Sequence, residues 1–151
     1  MTGSGHDADA RPAPPDPPFR ALRQLNCPEG RRDAGLRHRL TPTWPRWFTG
    51  ASLPDRLARA LAARGAVDMK ELAEAFEFFA RVRRAVRRPV VADLCAGHGL
   101  VGLLFALFER GVEQVLLVDR QVPPAAAAIR AAFREVGPWV DAKVRWHALP
   151  L

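Results

Sequence analysis

Apolar residues recur at helical spacing through the middle of the chain. The stretch SLPDRLARALAARG begins with Ser52 and Asp55 in the spacing of a capping box, which predicts a helix ending at the following glycine. A second helix is predicted in VDMKELAEAFEFFARVRRAVRRP, where Asp68 and Glu71 repeat that spacing and Pro89 ends the pattern. Its apolar positions are expected to share one face: Met69, Leu72, Phe76, Phe79 and Val86.

After Pro89 the pattern changes to strands that alternate with helices. VVADLC, QVLLVD and AKVRWHAL read as strands. LVGLLFALFER reads as a largely buried helix capped by Gly111, and PPAAAAIRAAFREVG as a helix that begins at prolines and ends at Gly137. Strands separated by helices pair in parallel through right-handed crossovers, so the predicted fold class is α/β with a parallel sheet of about three strands.

The segments before Pro89 differ in composition. Residues 1–18 are rich in Pro, Ala, Asp and Gly and predict a disordered tail, whereas residues 19–88 predict a helical segment ahead of the α/β unit at 89–151. Within TPTWPRWF, the aromatic residues Trp44, Trp47 and Phe48 are expected to anchor an irregular segment onto the core. The alternative is a stacking surface for a base or a peptide.

Arginine dominates the charge of the chain. The formal net charge is +7, and every basic residue except Lys70 and Lys143 is an arginine. Arginine binds phosphate well, so RNA is a candidate partner. The helix dipole nevertheless explains the cluster at the end of the second predicted helix, where positive charge is favoured. That cluster comprises Arg81, Arg83, Arg84, Arg87 and Arg88.

The sequence shows no targeting signal, no membrane-spanning segment and no metal-binding motif. It has no apolar run long enough to span a membrane, and its first residues lack the pattern of a secretory signal. The two cysteines, Cys27 and Cys95, are far apart and lack metal-ligand spacing. We therefore expect a cytoplasmic protein with no membrane association and no metal site.

The loop after the first predicted strand contains the candidate ligand-binding residues. In an open parallel sheet, ligands bind beyond the carboxyl ends of the strands. There Gly97 and Gly99 let the backbone approach a ligand, and Asp119 at the end of the second strand can bind both hydroxyls of a ribose. GHGLVG also fits the dinucleotide fingerprint, but the Asp93 carboxylate would repel a pyrophosphate. It suits a cofactor with a sulfonium and an ammonium group, as in S-adenosylmethionine.

VVADLCAGHGLVGLL followed by VLLVDR resembles the first two motifs of the class I S-adenosylmethionine-dependent methyltransferases. The resemblance covers Pro89 to Leu151 and implies a Rossmann-like sheet, methyl transfer and S-adenosylmethionine as cofactor. By position it also implies a set of cofactor-binding residues: Asp93, Cys95, Ala96, Gly97, His98, Gly99, Asp119 and Arg120.

Two departures from the family stand out. Cys95 occupies a position where many members have glycine, and a catalytic thiol there is disfavoured because no general base is placed beside it. The family sheet also continues beyond a third strand, and its catalytic motif follows strand four. The sequence therefore indicates the first half of such a domain, with catalytic residues unknown and a homodimer or partner chain expected to complete the sheet. The methyl acceptor stays open, with RNA as one candidate.

Two other interpretations remain. One is a fragment of an NAD-dependent oxidoreductase, based on GHGLVG. The other is a non-catalytic interaction module that uses its arginines and tryptophans. The three interpretations give Asp93 different roles. In a methyltransferase it pairs with the ammonium group of the cofactor, in an oxidoreductase it would repel the pyrophosphate, and in an interaction module it has no functional role.

Overall fold

The computed structural model describes residues 17–43, 45–86 and 88–149. Within these ranges it contains a three-stranded parallel sheet with strand order β1-β2-β3, together with six α-helices and two 3-10 turns. The strands are β1 (Val90–Leu94), β2 (Gln114–Asp119) and β3 (Val144–Ala148). The helices are α1 (Pro28–Ala34), α2 (Leu53–Ala63), α3 (Met69–Val86), α4 (Leu100–Phe108), α5 (Ala125–Val136) and α6 (Val140–Lys143), and the 3-10 turns are Arg23–Asn26 and Pro45–Trp47.

The predicted α/β class is confirmed, with a parallel sheet of three strands behind a helical segment. The predicted disordered tail falls almost entirely on residues 1–16, which lie outside the described ranges.

The sheet is covered by helices on one face. Helix α4 connects β1 to β2 and α5 connects β2 to β3, and right-handed crossovers in the same direction put both helices on the same side. On that side Val91, Val115 and Val144 are neighbours across the three strands and are buried. On the other side Val90 is 51% exposed and Leu94 is 65% exposed.

Helices α2 and α3 begin with the caps that the sequence predicts. The Asp55 backbone N–H donates to Ser52 Oγ over 3.2 Å. At the start of α3 the Glu71 N–H donates to Asp68 Oδ1 over 2.7 Å, and the Asp68 N–H donates to Glu71 Oε2 over 2.9 Å. The capping box is therefore complete at α3, whereas at α2 only the Asp55 N–H is satisfied and the Asp55 carboxylate accepts from the Ser52 hydroxyl.

The helical segment forms a second layer over the sheet helices. Helix α2 packs against α5, and α3 packs against α4. The rings of Phe79 and Phe105 meet edge to face with centroids 5.0 Å apart, and Phe76 meets Phe108 in the same way at 5.9 Å. One continuous hydrophobic cluster therefore joins the helical segment to the sheet unit. Val86, the last residue of α3, lies at the expected helical spacing from Phe79 but is 42% exposed, because it stands at the end of the helix.

Helix α1 is not predicted by the sequence pattern, which reads as irregular there. Its first turn is capped by a thiol, since Cys27 Sγ accepts a hydrogen bond from Gly30 N over 3.4 Å. A proline at the first helical position also favours a helix start. The helix is short and its apolar pattern is weak, so the features that favour it lie at its start.

A buried carboxylate holds the segment after α1. Asp33 is 6% exposed and accepts hydrogen bonds from the Arg46 guanidinium and, over 2.7 Å, from Trp47 Nε1. These donors hold the pKa of Asp33 below its ordinary value, with Arg46 as the main cause. Phe48 is fully buried beside them. Anchoring by Trp47 and Phe48 is thus confirmed, while Trp44 lies outside the described residues.

Two boundaries differ from the sequence prediction. Helix α4 ends at Phe108, where the Glu109 N–H bonds to Phe105 O, so Gly111 lies in the following turn and does not cap the helix. The short helix α6 includes Lys143, which the pattern assigned to the third strand. Within the described ranges, no helix combines the length and the apolar character needed to cross a bilayer.

We expect Asp33→Ala to lower the free energy of unfolding by about 1–3 kcal/mol, because it leaves the Trp47 indole N–H without its partner. Arg46→Ala is the matched control. Its side chain is 62% exposed and the Trp47 bond survives its loss, so the effect should be smaller. Urea denaturation of the three proteins measures both values, and equal losses would contradict the role given to the indole.

Candidate functional site at the carboxyl edge of the sheet

The loop between β1 and α4 is held against β2 by backbone hydrogen bonds. The Ala96 N–H donates to Val118 O over 3.0 Å, and the Gly99 N–H donates to Ala96 O over 2.7 Å. This tight path takes three residues into the left-handed region: Cys95 at φ 58°, Gly97 at φ 55° and Gly99 at φ 82°. The loop is therefore a fixed turn that ends directly at the first residue of α4.

Cys95 is the one described residue other than glycine with a positive φ. The left-handed conformation costs an L side chain about 1–2 kcal/mol, and glycine avoids this cost. Position 95 therefore has a backbone conformation that favours glycine, although the residue there is a cysteine. The thiol of Cys95 is exposed.

Gly99 and Gly102 allow α4 to lie close to β2. A Cβ added to Gly99 would lie 2.7 Å from Leu117 Cδ1, and one added to Gly102 would lie 2.3 Å from Leu117 Cδ2. A side chain at either position would therefore require the buried Leu117 side chain or the helix to shift. The last glycine of GHGLVG is explained by this packing and needs no bound dinucleotide.

Asp119 joins the end of β2 to the loop. Its Oδ2 accepts a hydrogen bond from Gly97 N over 2.8 Å, and its Oδ1 accepts one from Arg120 N over 2.6 Å. The Gly97 bond, followed by the Arg120 bond, holds the pKa of Asp119 below its ordinary value of 3.8. A carboxylate has about four lone-pair sites, and the backbone N–H groups of Gly97, Arg120 and Gln121 account for three of them, which leaves one for a ligand hydroxyl.

Asp93 lies on the helix-covered face near the end of β1. Its Oδ2 accepts a hydrogen bond from Gly102 N over 2.9 Å, which satisfies one of the free N–H groups in the first turn of α4. Burial raises the pKa of Asp93 despite that bond and the nearby His98, and the Asp119 charge adds to the rise. A serine or asparagine could cap the helix without the cost of burying a charge. Capping alone therefore does not explain why this residue is a carboxylate.

His98 connects the loop to α3. Its Nε2 lies 3.3 Å from Glu71 Oε1, the carboxylate that also caps α3. Its Nδ1 is buried and makes no hydrogen bond to any described residue. The sequence marks Glu71 only as a capping residue, so its approach to the loop was missed. Arg120 is exposed beside the end of β2.

The structure thus brings the residues predicted from the sequence to one edge of the sheet. Ala96 and His98 are half-buried there, while Cys95 and Arg120 face solvent. On β3, His147 pairs in register with Val118 and is exposed at the same edge. The described part of the chain offers no group of three or more His, Cys, Asp or Glu residues arranged to hold a metal.

No protein-family model, curated protein or solved structure matches this chain. Its function is therefore inferred from the geometry of this edge.

We expect the backbone amide protons of Gly97 and Arg120 to titrate together, with a midpoint below pH 3.8. Both donate to the Asp119 carboxylate, and protonation of that group weakens both bonds. Because the folded pKa is lowered, the stabilisation from Asp119 is present above pH 3.8 and is lost as the pH falls through the lower folded value. Two-dimensional NMR over an acid titration measures the midpoint, and a midpoint above 3.8 would contradict this assignment.

We expect Asp93→Asn to be more stable than the wild type at pH 7, because the amide oxygen can still accept from Gly102 N while the buried charge is gone. The raised pKa means that the wild type loses stability as the pH rises from 3.8 through the folded pKa. The advantage of the variant should therefore fade below pH 3.8, where both side chains are neutral. Denaturation curves at pH 3.5, 5 and 7 measure it, and a constant difference would show that the charge carries no cost.

Proposed function

We propose that this edge of the sheet binds S-adenosylmethionine and that the chain belongs to a methyltransferase of class I type. The observation that carries the proposal is the Asp93 carboxylate, which burial disfavours as an anion. It lies at the end of β1 beside the glycine loop. A ligand with a positive charge offsets that cost, because an opposite charge stabilises the ionised form. The ammonium and sulfonium groups of S-adenosylmethionine supply such a charge.

The other residues of the edge suit the adenosyl part of the same ligand. Asp119 is ionised at neutral pH and keeps a lone-pair site for a ribose hydroxyl. Gly97 presents open space on the side where a Cβ would stand, so the ligand can approach the backbone closely. The residues that would hold the cofactor are Asp93, Cys95, Ala96, Gly97, His98, Gly99, Asp119 and Arg120.

A dinucleotide fits this edge less well. A pyrophosphate binds by taking hydrogen bonds from the N–H groups at a helix N-terminus. At α4 the Gly102 N–H already donates to the Asp93 carboxylate, whose negative charge also repels phosphate. The oxidoreductase interpretation is therefore disfavoured by the same side chain that favours S-adenosylmethionine.

When bound, S-adenosylmethionine supplies a methyl group on a positively charged sulfur, which a nucleophile can take directly. The residues of this chain would bind and orient the cofactor, and such positioning accounts for much of the catalysis of a direct transfer. The acceptor and the residues that hold it are not assigned.

The test compares two ligands by calorimetry. S-adenosylhomocysteine carries the amino-acid group, whereas methylthioadenosine has the same nucleoside without it. We expect Asp93→Asn to weaken S-adenosylhomocysteine binding about tenfold and to leave methylthioadenosine binding unchanged. Asp119→Asn should weaken both ligands by a similar factor, because it removes a ribose acceptor.

Glu113→Gln is the matched control, since this exposed carboxylate precedes β2 at the opposite end of the sheet. It should bind both ligands as the wild type does. Absence of S-adenosylhomocysteine binding to the folded wild type would overturn the proposal. Tight binding of NADH in its place would favour the oxidoreductase interpretation.

A further inference from the structure

A basic groove lies along α3, away from the loop edge. It has a volume of about 820 Å³ and is bounded by the segment before α1, by the start of α2 and by the second half of α3. Its lining contains no acidic residue among those described, and its apolar floor is formed by Phe76, Phe79 and Phe108. Five arginines surround that floor: Arg20, Arg23, Arg81, Arg83 and Arg84.

The groove continues into a second hollow of about 420 Å³. The two hollows adjoin at Arg20, Arg23 and Arg81, which line both, and together they make up the channel. The second hollow adds Phe19 and two prolines, an apolar wall beside the positive charges. Together they are larger than a single bound phosphate requires.

Three of these arginines carry charge that no described acid balances. Arg81 Nε lies 2.7 Å from Glu77 Oε1, and Arg83 Nε lies 2.5 Å from the buried Glu109. The guanidinium groups of Arg20, Arg23 and Arg84 are exposed and form no ion pair with any described residue. The net charge of the groove is therefore positive, about one unit for each of these three side chains.

The helix dipole does not account for this arrangement. It explains arginines in the last turns of α3, such as Arg84. It does not explain the guanidinium groups of Arg20 and Arg23, which belong to a distant segment that is tied to α3 by the Arg20 N–H, a donor to Glu77 Oε2 over 2.7 Å. Convergence of cations from two segments, against their mutual repulsion, is favoured when an anion lies between them.

We propose that this channel binds the sugar–phosphate backbone of a single-stranded nucleic acid. Guanidinium groups bind phosphate through paired hydrogen bonds, and repeated cations along an open channel match a repeated phosphate charge. The apolar wall at Phe19 offers a surface against which a base can lie. The proposal concerns a surface distinct from the cofactor edge and does not depend on cofactor binding.

The test uses a fluorescein-labelled 20-nucleotide oligouridylate and measures anisotropy at several salt concentrations. The variant combines Arg20→Gln, Arg23→Gln and Arg84→Gln. The control combines Arg37→Gln, Arg56→Gln and Arg110→Gln, which remove the same charge from exposed positions that do not line the channel. We expect the channel variant to bind at least tenfold more weakly at 100 mM salt, and the control to lose less than threefold.

The salt dependence gives a second readout. Each phosphate contact on a single strand contributes about 0.7 to the slope of log K against log salt. The channel variant should therefore show a slope smaller by about 2, while the control keeps the wild-type slope. Equal changes in both variants would show that net charge alone drives binding and would overturn the proposal. So would preference for polyglutamate or anionic phosphatidylserine vesicles over the oligonucleotide.

Crosslinking of the wild-type protein avoids any dependence on the folding of a variant. A 4-thiouridine oligonucleotide should crosslink under ultraviolet light to peptides that contain residues 17–26 and 76–84. Crosslinks confined to the loop at 95–99, or none at all, would overturn the channel as the binding surface.

Discussion

Parallel pairing of the three strands is the constraint on which the rest of the structure depends. Each parallel pair needs a crossover, and the right-handed crossovers of α4 and α5 run in the same direction. Both helices therefore lie on one face, where α2 and α3 pack over them. The same pairing gathers the carboxyl ends of all strands at one edge. The glycine loop and Asp119 meet there, although 22 residues separate the bonded pair along the chain.

The pKa values of the two carboxylates at that edge are shifted in opposite directions. Backbone N–H groups stabilise the ionised form of Asp119 and lower its pKa, whereas burial raises the pKa of Asp93. Asp119 is thereby a fixed acceptor that holds the loop in shape, while Asp93 is an anion that gains from a nearby cation. Environments that separate the pKa values of neighbouring carboxylates are typical of binding and catalytic sites.

The sequence predicted the elements that carry strong periodic or capping signals. Helices α2 and α3 and strand β2 begin close to the expected residues, because each has a cap or a sharp change of pattern. Helix α1 was missed since its cap is a cysteine, which is not a usual capping residue. The position of Asp93 at the edge was predicted, but its bond to Gly102 was not. That bond depends on how closely α4 approaches the sheet, which two glycines decide through contacts distant in sequence.

The packing of α2 against α5 has a consequence for how the protein is made. These helices are separated in the chain by the whole of α3, β1, α4 and β2. While the chain is being synthesised, α2 cannot complete its packing against α5 until Val136 has emerged. During that interval the part of α2 that α5 covers in the finished fold faces water or a chaperone. The N-terminal half therefore depends on the sheet half to complete its folding.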